Sequence, residues 1–239
     1  SPFEKLRVMI HLDHAQWDTD QELLEWDMSR FSMIMYDASA LPFDENIKLT
    51  SKFVDKNADK IVIEGACDEI VDATGDVRSV LTSPEQAIKY LEQTRVDFIV
   101  ANLGTEHRAS LADLKYHGEQ ARKISKLTGT KLVLHGTSSV GNDQIRNLFN
   151  DGIARVNIWT ILERNSSPVL FEDMLSNAAK ITGSAKAGEL VQSGLLGENA
   201  DRESKADLMH YTTTYRQNIV FNEMKKIILE YLTLWYVKS

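Results

Sequence analysis

The feature that most constrains this fold is a regular alternation of short apolar runs with longer helical patterns. Six runs of three to five residues are apolar on both faces, as expected for parallel strands that are buried on both sides. They span residues 8–12, 33–36, 61–63, 98–101, 132–134 and 154–158. Helical patterns separate them, at 43–57, from Ser83 onward, at 113–127 and at 142–150. This alternation predicts an α/β fold with a parallel sheet.

Polar residues follow the ends of all six runs, which favours a (β/α)8 TIM barrel over an open doubly wound sheet. The rim at the strand ends carries the active site in barrel enzymes, whereas an open sheet concentrates its chemistry at one switch point. A barrel needs eight strands, so we expect two βα units to be missing before Ser1. Two long periodic stretches, 171–192 and 204–237, predict extra C-terminal helices, with a break among the glycines between Gly183 and Gly197. The expected organisation is one barrel domain, 1–239, with six βα units in 1–165 and helices in 166–239.

Composition limits the partners of the chain. The formal net charge of −8 disfavours a nucleic-acid-binding surface, which is usually basic. The single cysteine, Cys67, excludes an internal disulfide and favours a reducing, cytoplasmic setting, with a small core residue as its simplest role. No apolar run approaches membrane-spanning length, and no signal-peptide pattern begins the sequence, so we expect no membrane partner. The acidic composition is compatible with a small anionic substrate, because a local pocket can be positive inside an acidic protein.

Three histidines at separate strand ends, His14, His107 and His135, form a candidate catalytic metal site. Three protein ligands with one open position are typical of catalytic zinc, which then acts as a Lewis acid on a carbonyl oxygen. Strand alternation places Asp13 and His14 on opposite faces, so both can reach one point only if the strand ends or bends there. The alternative is that these are ordinary histidines with satisfied structural contacts.

Five segments resemble the class II, metal-dependent fructose-bisphosphate and tagatose-bisphosphate aldolases. Their order and spacing match over most of residues 8–165. The segments are Ile10-His11-Leu12-Asp13-His14, Met33 to Ile47, Gly104-Thr105-Glu106-His107, Leu134-His135-Gly136-Thr137-Ser138-Ser139-Val140, and Arg155-Val156-Asn157-Ile158-Trp159-Thr160.

The resemblance implies a retro-aldol lyase of carbohydrate metabolism such as glycolysis, acting on a ketose phosphate or bisphosphate through a metal-stabilised enediolate. It implies a divalent metal, zinc by preference, and a homodimer or homotetramer. It further implies the following roles: Asp13 moves the C4 hydroxyl proton; His14, His107 and His135 bind the metal; Asp37 and Glu64 are acidic positions near it; and Gly136, Ser138, Asn157 and Thr160 bind substrate or phosphate.

The sequence departs from the family pattern on the substrate side. Arg108 replaces a glycine and either recognises phosphate or lies on the surface. Trp159 and Ile161 replace polar positions, Ala66 replaces an acidic one, and the loop after His135 loses two glycines. These changes leave two alternatives open: a divergent barrel that binds a ligand or partner without catalysis, and the same chemistry on an unphosphorylated substrate. Arg216 has no secure match to the family's distal phosphate arginine and is expected to face solvent.

Overall fold

The computed structural model describes residues 3–68, 80–105 and 116–235. Within these residues six strands form one parallel sheet in the order β1-β2-β3-β4-β5-β6, with helices between successive strands. The predicted α/β class is therefore confirmed. The strands are β1 His11–Gln16, β2 Met33–Asp37, β3 Val62–Ala66, β4 Phe98–Val100, β5 Leu132–Leu134 and β6 Ile153–Val156.

The first strand is the one that the apolar pattern misplaced. Val8 and Ile10 are 89% and 63% exposed and precede the strand, which continues instead through Asp13 and His14 to Gln16. The prediction that Asp13 and His14 follow the strand end is therefore wrong. The segment HLDHAQ has little apolar periodicity, and its extended conformation comes from pairing with the fully buried β2.

The helices of the described residues follow the polar and apolar signals well in the first part of the chain. In the helix at 43–57, Asn46, Ile47, Thr50, Phe53, Val54 and Asn57 form the buried face. Ser83 caps the helix that begins at Pro84 by accepting from the Gln86 N–H at 3.1 Å. The helices are α1 Gln21–Leu24, α2 Phe43–Asn57, α3 Pro84–Thr94, α4 Gly118–Thr128, α5 Asn142–Ile145, α6 Thr160–Ser176, α7 Ala178–Thr182, α8 Ser184–Gln192, α9 Leu208–Tyr211 and α10 Thr213–Trp235.

A buried polar network holds the end of β3. The side-chain NH2 of Asn46, in α2, donates to the Ala66 carbonyl at 2.9 Å. The side-chain oxygen of Asn46 accepts from the hydroxyls of Thr50 at 2.9 Å and Tyr90 at 3.3 Å. Tyr90 lies against Gly65, where an added Cβ would come within 2.7 Å of the phenolic oxygen. The glycine therefore lets α3 approach the sheet closely.

The chain divides into two compact units, residues 1–158 and 159–239. The second unit contains α6 to α10, and the Tyr215 hydroxyl of α10 donates to the Asp173 carboxylate of α6 at 2.9 Å. Breaks occur at Gly183, where φ is +85°, and after Gln192, as the glycines predicted. The single-domain interpretation of 1–239 stays a prediction. None of the described helices is both long and apolar enough to cross a membrane.

Candidate metal centre

A bulge in β1 aims two neighbouring residues at one point. The register of β1 against β2 shifts between Leu12 and Ala15, and His14 has a φ of +50°, which is uncommon for a residue other than glycine. This is the bend that strand alternation required. As a result, ligand atoms of Asp13, His14 and His135 all lie within 4.8 Å of one another.

His135 supplies the second imidazole, directly after β5. Its side chain is 1% exposed, and its ring lies edge-on to that of His14 with centroids 5.0 Å apart and an interplanar angle of 89°. Thr105 fixes the backbone at this point by donating to the His135 carbonyl at 2.7 Å. The ring is therefore held by buried packing rather than by a mobile loop.

Asp37 contacts His14 from the last residue of β2. Its Oδ2 lies 2.8 Å from His14 Nδ1 and accepts from Gln16 Nε2 at 2.9 Å, while Oδ1 accepts from the Ser39 hydroxyl at 2.6 Å. Burial disfavours the charged carboxylate, but the hydrogen bonds from His14 and Ser39 outweigh it and lower the pKa of Asp37 to about 2. Burial also opposes the charged form of His14, yet the hydrogen bond to Asp37 raises its pKa above the usual 6.5. A carboxylate on Nδ1 is the arrangement that orients a metal-binding histidine to coordinate through Nε2.

Glu64 of β3 contacts the His135 ring. Ala66, two residues further along, is buried at the end of the same strand. The Glu64 carboxylate is fully buried, with Oε1 3.0 Å from His135 Nε2 and Oε2 paired with Arg155 of β6. The sequence interpretation did not assign a role to Arg155. The signal was available, because Arg155 lies two residues before Asn157 and therefore on the same face of β6.

Asn157 joins the centre from the residue after β6. Its side-chain NH2 lies 3.1 Å from Asp13 Oδ1 and 3.0 Å from His135 Nε2. The Arg155 guanidinium also reaches His11 of β1, with Nη1 3.0 Å from Nδ1. Side chains from the first and last strands of the sheet are thus in contact, so the sheet is strongly curved.

The loop after His135 combines a buried backbone turn with a buried hydroxyl. Gly136 adopts a φ of +67°, and residues Thr137–Ser139 form a turn of 3-10 helix. The Thr137 hydroxyl donates to the Asn157 carbonyl at 2.8 Å, which ties the loop to the residue that follows β6. The Ser138 hydroxyl is buried and has no hydrogen-bond partner among the described residues. A buried hydroxyl of this kind is suited to a ligand oxygen.

The remaining predicted site residues divide into two groups. Thr160 is the first residue of α6 and belongs to the second unit, together with Trp159, which is 59% exposed, and Ile161. His107 and Arg108 lie outside the described residues. The structure therefore brings together two of the three predicted histidines with Asp13, Asp37, Glu64 and Asn157.

The donor set fits a divalent metal of the zinc type. Imidazole nitrogens and a carboxylate oxygen are the ligands that zinc accepts, at about 2.0–2.2 Å from the ion. Ligand atoms at that radius lie roughly 3–4 Å apart. The ligand atoms of Asp13, His14 and His135, which lie within 4.8 Å of one another, would therefore need to move by only about 1 Å to surround a cation. Asp37 and Glu64 behind the two rings supply the outer hydrogen bonds that such sites use.

The fold and the site together define a parallel α/β protein with a candidate metal centre formed by the bulge of β1 and by His135 after β5. A family model described as fructose-bisphosphate aldolase class-II matches residues 2–231, and the chain belongs to that family. The family resemblance of the sequence is therefore confirmed, and this family generally depends on a divalent metal.

Curated relatives and solved structures agree with this assignment. A fructose-bisphosphate aldolase of Giardia intestinalis is 35% identical over 150 residues, which are 60% of this chain and 46% of the relative. A sulfofructosephosphate aldolase of Alkalicoccus urumqiensis is 31% identical over 162 residues, 65% of this chain and 55% of the relative. The crystal structure of a fructose-bisphosphate aldolase from Campylobacter jejuni matches with a TM-score of 0.67 at 18% identity, covering 95% of this chain and 70% of that one. The chain spans about half the length of these curated relatives, and the structural likeness confirms the fold of the aldolase TIM barrels.

Proposed function

We propose that this protein is a metal-dependent aldolase that cleaves a carbon–carbon bond in a ketose phosphate or bisphosphate. The observation that carries the proposal is the convergence of Asp13, His14 and His135 within 4.8 Å, each imidazole backed by a buried carboxylate. The names of the relatives suggest fructose bisphosphate and sulfofructose phosphate as substrates to test.

The bound metal would be zinc, held by His14, His135 and, as a third ligand, His107. When bound, it would supply a Lewis acid for the carbonyl oxygen of the substrate. Asp13, exposed at the mouth of the site, takes the proton of the C4 hydroxyl. The C3–C4 bond then breaks, C4 becomes an aldehyde, and the electron pair passes to the ketone half of the substrate.

The other polar residues bind and orient the substrate. Asn157 holds the Asp13 carboxylate through its NH2 at 3.1 Å, which aims the base. The turn at Gly136 and the Ser138 hydroxyl receive a phosphate oxygen, since turn backbone and hydroxyl groups are suited to anions. Thr160 and Arg108 are further proposed phosphate contacts.

The oligomeric state, the compartment and the kind of partner belong to the same proposal. Apolar side chains such as Phe171 and Phe221, 62% and 59% exposed, support a homodimer or homotetramer, which light scattering would measure. The single, buried Cys67 supports a cytoplasmic setting, and the net charge of −8 supports a small molecule rather than nucleic acid as the partner.

Metal content and cleavage, measured together, test the proposal. The purified protein is analysed for bound zinc and then assayed for aldehyde release from fructose bisphosphate, tagatose bisphosphate and sulfofructose phosphate. His14→Ala, His107→Ala and His135→Ala are expected to lose both metal and activity. His210→Ala is the matched control, because His210 pairs with Asp207 in the second unit.

The variant Asp13→Asn tests whether Asp13 acts as the base or as a metal ligand. It is expected to retain zinc and to lower kcat at least about 100-fold, within the usual range for removal of a general base. Asp18→Asn, which changes an exposed carboxylate just beyond β1, should leave both unchanged. Full activity of Asp13→Asn would refute the role of Asp13 as the base. No cleavage by the zinc-loaded protein of any substrate tested would refute the lyase assignment and favour a barrel that only binds.

A further inference from the structure

Gln16, the last residue of β1, is held by hydrogen bonds at its backbone and at its side chain. Its backbone N–H donates to Asp20 Oδ2 at 2.8 Å, and its carbonyl accepts from the Asp20 N–H at 3.2 Å. Its side-chain Nε2 donates to Asp37 Oδ2 at 2.9 Å. Gln16 and Asp37 are register partners of β1 and β2, so their side chains lie next to each other on one face of the sheet.

The bulge of β1 lies immediately before this connection. His14 has a φ of +50°, and such a backbone conformation in a residue other than glycine costs free energy and persists only where surrounding contacts hold it. The hydrogen bonds of Gln16 begin two residues later, and the next N–H, that of Trp17, donates to the Asp37 carbonyl at 3.0 Å. These contacts hold β1 in register with β2 on the far side of the bulge.

The two oxygens of the Asp37 carboxylate are held by different residues. Oδ1 accepts from the Ser39 backbone N–H at 3.1 Å and from the Ser39 hydroxyl at 2.6 Å. Oδ2 lies 2.8 Å from His14 Nδ1 and 2.9 Å from Gln16 Nε2. A carboxylate that is held at Oδ1 alone can still turn about that oxygen. Within the part of the chain that the structure describes, Gln16 is the side chain that fixes Oδ2 independently of the imidazole that Asp37 contacts.

We propose that Gln16 is a positioning residue of the candidate metal centre, which holds Asp37 Oδ2 against His14 Nδ1 and thereby fixes the orientation of the His14 ring. This inference rests on the proposed function, because it takes His14 to be a metal ligand. Gln16 acts through Asp37 and needs no contact of its own with metal or substrate.

Cobalt titration of the metal-free protein, followed by visible absorbance, tests the effect on metal binding. Gln16→Met keeps the length of the side chain and removes its NH2 group. Residues that support metal ligands typically contribute 10–100-fold to affinity, and Gln16 acts one contact further away, so Gln16→Met should bind Co²⁺ about 10-fold more weakly than the wild type. Affinity within about twofold of the wild type would overturn the proposal.

Gln120→Met is the matched control for this titration. Gln120 lies in α4, and its Nε2 donates to the Thr82 carbonyl at 2.6 Å, so the variant also loses one part-buried hydrogen bond of a glutamine. It should bind Co²⁺ within about twofold of the wild type, since its partners lie outside the candidate metal centre. An equal loss of affinity in Gln16→Met and Gln120→Met would show a general structural effect and contradict the proposal.

A double-mutant cycle tests whether Gln16 acts through Asp37. In an Asp37→Ala background, which has no carboxylate to hold, Gln16→Met should change Co²⁺ affinity by no more than about twofold, and a loss of about tenfold there would overturn the proposed route. Gln16→Asn covers the case in which Gln16→Met fails to fold. It keeps the amide but shortens the side chain by one methylene, so it should also weaken Co²⁺ binding, and wild-type affinity would contradict the proposal.

Crystal structures of the metal-free proteins give a readout that needs neither metal nor substrate. Asp37 should turn away from His14 or take two conformations in Gln16→Met and keep its place in Gln120→Met. An unmoved Asp37 carboxylate in Gln16→Met would overturn the proposal. A wild type that binds no Co²⁺ would overturn both this inference and the metal centre. A wild type that binds Co²⁺ and shows the expected effect of Gln16→Met, but does not cleave, would refute the lyase and leave the role of Gln16 supported.

Discussion

Replacing Asp37 by asparagine is expected to destabilise the metal-free protein by about 2 kcal/mol near pH 6. The pKa of Asp37 falls from 3.8 to about 2 in the folded chain. Since a tenfold change in an equilibrium constant corresponds to about 1.4 kcal/mol, the folded state favours the charged carboxylate by roughly 2–3 kcal/mol. The side chain is only 8% exposed, so solvent screens little of this. Asparagine keeps the shape of the aspartate side chain and part of its hydrogen bonding. We therefore expect the loss of stability to lie at the lower end of this range.

The pH dependence of this loss has a defined sign. Because the folded pKa of Asp37 is lowered, its contribution is complete above about pH 4 and disappears as the pH falls toward about 2. Because the pKa of His14 is raised, the contribution of its charge is complete below 6.5 and is lost as the pH rises through the folded value. The difference between wild type and Asp37→Asn should therefore be largest between about pH 4 and 6.5.

Urea unfolding in the presence of a chelator measures this difference. Trp17 and Trp26 lie in the first unit, and Trp159 and Trp235 in the second, so fluorescence in a Trp159→Phe/Trp235→Phe background reports on the unit that holds the site. Asp18→Asn serves as the control and should change stability by less than about 0.5 kcal/mol. A loss in Asp37→Asn that is equally small, or that stays constant from pH 3 to 8, would refute the electrostatic reasoning.

Three further predictions concern packing, reactivity and binding. Gly65→Ala should lower stability by about 1–3 kcal/mol in urea unfolding, because its Cβ would lie 2.7 Å from the Tyr90 hydroxyl, and a neutral effect would contradict the close packing. Burial raises the pKa of the Cys67 thiol, so a disulfide reagent at pH 8 should label the native protein far more slowly than the urea-unfolded one, and equal rates would show that the thiol is accessible. Ser138→Ala should raise KM for a phosphorylated substrate while leaving stability unchanged or higher, since it removes a buried hydroxyl without a partner among the described residues; lower stability with unchanged KM would indicate a structural hydroxyl.

Much of the fold could be predicted because its signals are local. The boundaries of β5 and α2 follow directly from their apolar patterns, and Ser83-Pro84 marks the start of α3. The first strand could not be predicted in the same way. Its residues His11 to Gln16 are mostly polar, and only the neighbouring strand β2 makes them extended.

The candidate site shows the same division. The family resemblance identified Asp13, His14 and His135 as a group, but alternation along an ideal strand set Asp13 and His14 on opposite faces. The bulge between Leu12 and Ala15 resolves this conflict, and nothing in the local sequence specifies a bulge there. The contacts of Arg155 were not predicted either: its place on the same face of β6 as Asn157 could be seen in the sequence, but its partners His11 and Glu64 are 144 and 91 residues away.

The sequence by itself determined the α/β class, the aldolase family and the residue types available for metal chemistry. Periodicity and spacing carry that information, since they depend on neighbours along the chain. Tertiary structure alone decided which carboxylate holds which imidazole, which way the Asn157 amide faces, and that one arginine connects the strands beneath the site. Those relations depend on hydrogen-bond geometry between distant strands, and such geometry exists only once the sheet has formed.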